Sequence, residues 1–112
     1  MARPRVFQKH DLPSGVVGIA VAFITDYERR AREIKRGALS EDLLSTYTRY
    51  NAIVDKALLH VEEEARRDFI SDIATGRGYD HSLISWMYNR KAYYLRKREI
   101  IYITAVGLGL TE

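Results

Sequence analysis

The residues best suited to bind something are concentrated in "NRKAYYLRKR", residues 89–98, which holds five cations, no acid and two adjacent tyrosines. The whole 112-residue chain carries a formal charge of only +3, and outside this decapeptide 13 basic residues stand against 15 acidic ones, a balance of −2. A cationic, aromatic cluster in an otherwise neutral chain suits a polyanion. Arginine can bond guanine through two parallel donors, while lysine and the tyrosine hydroxyl reach phosphate oxygens. On a helix starting at Arg90, residues Tyr93, Ile100 and Thr104 fall on one inward face, and Arg90, Lys91, Tyr94, Lys97 and Arg98 project around the other side. A recognition helix needs long cationic donors in its first turns, because those turns enter the major groove first. The expected DNA-binding set is therefore Asn89, Arg90, Lys91, Tyr94, Arg96, Lys97 and Arg98, with Asn89 as both helix cap and polar contact. Arg90 and Lys91 are placed nearer the bases, Lys97 and Arg98 nearer phosphate. The competing reading is a solvated C-terminal helix whose charges only confer solubility.

Other constellations carry less. His60 and Glu64 stand four apart on a helix, the spacing of a metal half-site, and Glu64, Asp68 and Asp72 continue a carboxylate stripe. Lys56, Arg66 and Arg67 are interleaved with them, so surface ion pairs are the expectation, and no second ligand cluster completes a metal site. His10 and His81 have no evident partners. Neither a phosphate-binding glycine loop, a GxSxG elbow nor a cysteine nucleophile is present, so no catalytic role and no cofactor is expected. Of the tyrosines, Tyr47 and Tyr50 follow the core spacing of their helix. Tyr93 is assigned to the core and Tyr94 to a phosphate or groove contact.

These residues need elements to position them. Residues 1–13 are expected to be an irregular basic arm, open to disorder, and 14–112 a single helical domain. Ser14 can cap a first helix over about 16–36, stopped by Gly37. Ser40 can cap a second, with Glu41 and Asp42 in its first turn where acids suit the helix dipole. Apolar residues recur at three-to-four spacing from Leu43 to Val61, and 41–75 reads equally as one long helix or as two with a break near 60–62. Gly76 and Gly78 stop whichever helix arrives. Asp80 can then cap a short helix, "HSLISWM", packed by Leu83, Ile84 and Trp86, and Asn89 a final helix over about 90–106, ending at Gly107. A short helix, a tight turn and a longer basic helix make a helix-turn-helix at about 80–106. The fold class expected is all-α, with four to five helices.

Length and composition agree with one small domain: hydrophobic residues are 46% and charged residues 29%, with two prolines and seven glycines placed mostly between periodic runs. With no cysteine, disulfides and thiolate zinc sites are excluded, which fits the cytoplasm. The apolar run "GVVGIAVAFI" at 15–24 follows Arg3, Arg5 and Lys9 in the manner of a secretory leader, but His10, Asp11 and Pro13 interrupt it and no small-residue cleavage site follows. Ten apolar residues are also half of the roughly 20 that a membrane span needs, so a buried helix turn and no membrane contact are expected.

The C-terminal segment "VEEEARRDFISDIATGRGYDHSLISWMYNRKAYYLRKRE" resembles the DNA-binding C-terminal region of bacterial sigma factors, and more closely the phage late-transcription regulators of the ArpU and RinA type. The matching residues are Asn89, Arg90, Tyr93, Tyr94, the basic run Arg96 to Arg98, and "GLGL" at 107–110, within about 50–110. The pattern departs at Asn89, where serine is usual, and at Met87 and Tyr88, where a glycine often stands. The resemblance implies a phage or prophage transcription regulator that binds double-stranded DNA specifically and contacts RNA polymerase. A homodimer is a further expectation, through the apolar half of the first helix, because one helix with about five cations gives limited affinity alone. The alternative function is a non-enzymatic helical adaptor or inhibitor that binds a protein partner.

Overall fold

The structure, a computed structural model, describes residues 11–112, and most of the expected basic arm over 1–13 lies outside the described residues. The described chain is all-helical: α1 Ser14–Thr25, α2 Tyr27–Arg36, α3 Glu41–Leu58, α4 Glu63–Thr75 and α5 Arg90–Gly107, with a 3-10 turn at Tyr79–His81. No helix among the described residues is long and apolar enough to cross a membrane.

The single helix expected over about 16–36 is a rod interrupted at Asp26, which keeps right-handed helical dihedrals (φ −83°, ψ −2°). Side chains from both sides of the join occupy carbonyls of the last turns of α1. The Thr25 hydroxyl donates to the Val21 carbonyl at 2.7 Å, a back-bond that bends helices, and Arg30 donates to the Phe23 carbonyl at 2.8 Å. Ser14 is the first helical residue rather than the cap. Pro13 holds the cap position, and no side chain bonds there, since its ring already sets the φ that the entry needs.

Ser40 does cap α3, accepting from the Leu43 amide at 3.3 Å, with Glu41 and Asp42 in the first turn. Residues 41–75 form two helices. At the break, Arg66 donates to the carbonyls of Leu58 (2.9 Å) and Val61 (3.3 Å), which supplies donors where the end of a helix leaves acceptors open. The turn lets two differently phased apolar faces, Val54–Leu58 on one side and Phe69–Ile73 on the other, enter the same core. Gly76 closes α4 in the left-handed region (φ +72°), a conformation that glycine adopts without a Cβ clash.

Packing is organised by α5. The first helix lies against α4 and α5, and α3 lies against α2 and α5. Ile24, Val54, Phe69, Ile84, Tyr93 and Ile100 are among the buried residues of the core. Tyr93 sits at the centre of an aromatic group, stacked on Phe69 (5.4 Å, 22°) and edge-on to Tyr79 and Tyr94.

The short helix expected from "HSLISWM" does not form. After the 3-10 turn, residues 83–87 are consecutive turns whose backbone bonds span three residues, Ser85 N to Ser82 O and Met87 N to Ile84 O. Tertiary contacts claim the groups a helix would use. The Ser82 hydroxyl donates to Asp72 Oδ2 at 2.5 Å and accepts from the Ile84 amide, and the Tyr79 hydroxyl reaches the carbonyls of Ser85 (3.0 Å) and Tyr88 (2.7 Å). A helix of seven residues cannot outbid such contacts, because nucleating its first turn is unfavourable. Of the three residues expected to pack this segment only Ile84 is buried, while Leu83 is 70% and Trp86 80% exposed. The compact helix-turn-helix expected over about 80–106 is therefore replaced by α4, a connection built of turns, and α5.

Candidate nucleic-acid interface

The candidate site begins at Asn89, which takes an extended conformation (φ −77°, ψ 167°) and accepts the Ala92 amide on its side-chain oxygen at 2.8 Å. That bond aligns the first turn of α5 and leaves the amide end of the helix, the positive end of its dipole, facing solvent. Asn89→Ala is expected to lower stability by about 1 kcal/mol in a thermal melt, and Asn89→Ser to restore it.

The five cations of 89–98 separate into three environments. Arg90 and Lys91 are exposed in the first turn, and Arg98 is exposed two turns later. The Arg90 guanidinium is 5.0 Å from the Tyr79 ring centroid and bonds Asp80 at 2.5 Å in an ion pair exposed on both sides. Arg96 points elsewhere: it pairs with Glu99 at 2.8 Å and acts on the Glu62 carboxylate, which is held below the usual carboxylate range mainly by the hydroxyl of Tyr88. Lys97 turns inward, donating to the Arg77 carbonyl at 2.7 Å with its ammonium over the rings of Tyr93 and Tyr94. Burial pushes this ammonium below the ordinary lysine range, opposed by the Asp72 carboxylate. The structure thus engages Arg96 and Lys97 within the protein, and a tethered ammonium over two rings is a brace for the helix.

Tyr93 is fully buried, as its spacing predicts, and so are Ile100 and Thr104. Tyr94 is 38% exposed, with its hydroxyl accepting the Tyr79 amide at 3.0 Å, so that it faces solvent at one edge while fastening the connection. A Cβ on Gly78 would come within 2.9 Å of that hydroxyl. Between the start of α1 and α5 lies a groove of about 360 Å³, lined by Leu12, Val17 and Ile101 with Asp11, Tyr94, Lys97 and Arg98.

Beneath the site is a polar hub that spacing alone misplaces. Asp72, read above as the end of a surface carboxylate stripe, is completely buried. Its Oδ2 accepts from Ser82 (2.5 Å) and Tyr93 (2.7 Å), and Arg77 approaches Oδ1 at 3.5 Å. The cause is helical drift: each step of four residues turns about 40°, which carries the stripe from exposed Glu64 through half-buried Asp68 into the core at Asp72. The signal was present, since Asp72 stands three residues after Phe69 on the apolar side. Arg66 likewise serves the end of α3 instead of an acid. Tyr47 and Tyr50 are half-buried, not core: Tyr47 accepts from Arg29 at 3.2 Å and Tyr50 lies edge-on to Phe23 at 5.1 Å. Among the described residues, no three His, Asp or Glu side chains gather as a metal ion would need.

No protein-family model, curated protein or solved structure matches this chain.

Proposed function

We propose that this is a non-enzymatic, cytoplasmic protein that binds double-stranded DNA sequence-specifically through the first half of α5, placed in the major groove. The observation that carries the reading is the first turn of that helix: Asn89 caps it, Arg90 and Lys91 are exposed on it, and Tyr94 and Arg98 follow on the same side. Long donors at a positively polarised helix end are what phosphates and base edges meet first. The contact set proposed is Asn89, Arg90, Lys91, Tyr94 and Arg98, with Lys97 holding the helix in place and Arg96 paired to Glu99 on another side. Its role as a phage-type transcription regulator, with RNA polymerase as a second partner, rests on the resemblance of the C-terminal segment. With a connection built of turns before it, α5 docks as a single helix.

Gel shifts across a salt series test this reading. Arg90→Ala or Lys91→Ala is expected to weaken specific binding by about 1–3 kcal/mol, the worth of a bidentate base contact. Asp80→Asn should act in the opposite direction, strengthening binding by about 0.2–1 kcal/mol, because it releases Arg90 from an exposed ion pair. If Arg90, Lys91 and Arg98 can all be replaced without loss of DNA binding, the exposed part of the basic run is only a solvated face.

A second reading has its own observation. Ile19 is 54% exposed on α1, and Leu43 and Leu44 are 43% and 40% exposed on α3. Ile19 borders a groove shared with Phe23, Tyr47 and Tyr50. This apolar face suits a second copy of the chain, which would pair two α5 helices on one DNA duplex. Alone, it suits a helical adaptor, and a protein that shifts no DNA while self-associating favours that role.

A further inference from the structure

The most exposed large apolar side chain described is Trp86, the chain's single tryptophan, at 80%. An indole left in water forgoes a large burial gain, and the fold does not need it there, since the connection is already anchored by buried Ile84 and by the Ser82–Asp72 bond. The segment that carries Trp86 is tied down: the Tyr79 hydroxyl lies within hydrogen-bond distance of the carbonyls on either side of it, at Ser85 and Tyr88, and can donate its one proton to either. The ring of the same Tyr79 lies under the Arg90 guanidinium. One tyrosine therefore fixes both the outward indole and the first cation of the proposed interface.

We propose that Trp86 stacks on an unpaired nucleobase while the α5 N-terminus holds the flanking phosphates, so that the preferred ligand is duplex DNA with a local break in base pairing. This rests on the DNA-binding reading above and adds the class of DNA. Charge selects the partner: Arg90 and Lys91, four and five residues after an exposed flat ring and joined to its segment through Tyr79, suit a polymer that alternates phosphates with flat rings, whereas an acidic protein surface supplies the charge without the rings. Stacking selects the state. In an intact duplex both faces of each base are covered, so an indole finds a free face only where stacking is interrupted, at an unpaired base or a wedged step.

The test uses the full chain and two short duplexes that differ only by a single unpaired adenine inserted in the middle of one. Fluorescence excited at the red edge, where the eight tyrosines do not absorb, reports on Trp86 alone, because no other tryptophan is present. The expected result is strong quenching by the bulged duplex and little by the intact one. Affinity for the bulged duplex is expected to be roughly ten-fold higher, within the range of one base–aromatic stack, with the preference abolished by Trp86→Ala and partly kept by Trp86→Phe. Binding of both duplexes with equal affinity, unquenched and unaffected by Trp86→Ala, would overturn the role of Trp86 and leave α5 as the interface. Failure to shift either duplex would overturn the DNA reading itself and this inference with it. A fluorescence change that follows protein concentration without DNA would overturn it in favour of a contact between copies of the chain.

Discussion

Tyr93→Ala is expected to destabilise the protein by about 3–5 kcal/mol, the range for emptying a buried aromatic site, and in a domain of this size that is a large share of the total. Tyr93 is fully buried, stacked on Phe69, and donates its hydroxyl to Asp72. Alanine leaves a cavity between α4 and α5 and takes one of two donors from a buried carboxylate. Tyr93→Phe separates the two effects, since it keeps the ring and loses only the hydroxyl, and about 1–2 kcal/mol is expected for it. Urea denaturation of the three proteins measures both differences. Equal stability of Tyr93→Phe and the parent would show that the Asp72 bond contributes nothing net.

The second large effect is at Arg30, a cation only 3% exposed. Its guanidinium donates to Asn51 at 2.7 Å and to the Phe23 carbonyl at 2.8 Å, lies 4.3 Å from the Phe23 ring centroid, and approaches Asp26 at 3.3 Å. It joins the interruption between α1 and α2 to the middle of α3. Methionine fills similar space without donors, leaving one buried acceptor (Asn51) and one part-buried acceptor (Phe23) without this donor at about 1–3 kcal/mol each, so Arg30→Met is expected to cost about 3 kcal/mol. The neighbouring Arg29, whose pair with Asp26 is exposed, supplies the control, and its replacement by methionine should barely move the denaturation midpoint. Comparable midpoints for the two variants would rule out a stabilising role for the Arg30 network.

Features that depend on neighbours within one or two turns were legible in the chain itself. Ser40 and Asn89 cap the helices they precede, because a side-chain oxygen at that position competes only with water for an amide two or three residues on. The all-helical class followed from apolar spacing, and Tyr93, Ile100 and Thr104 are buried because their spacing marks one face of α5. The segment 41–75 could be read either as one helix or as two, since no glycine or proline marks its break.

Tertiary structure decided the rest, through bonds that span long stretches of chain. Ser82 meets Asp72 across ten residues, Tyr93 meets Asp72 across 21, and Arg30 meets Asn51 across 21. Such contacts turned the expected short helix into turns and supply the donors, Ser82 and Tyr93, for the Asp72 carboxylate that helical drift carries into the core. A bond across 20 residues holds Lys97 to the Arg77 carbonyl, and with Arg96 paired locally to Glu99 the basic run presents Arg90, Lys91 and Arg98 to solvent. Local propensity is worth a few tenths of a kcal/mol per residue, while each buried charged bond is worth more. Where the two conflict, as at 82–88, the buried bonds prevail, and they left Trp86 exposed in the connection that precedes α5.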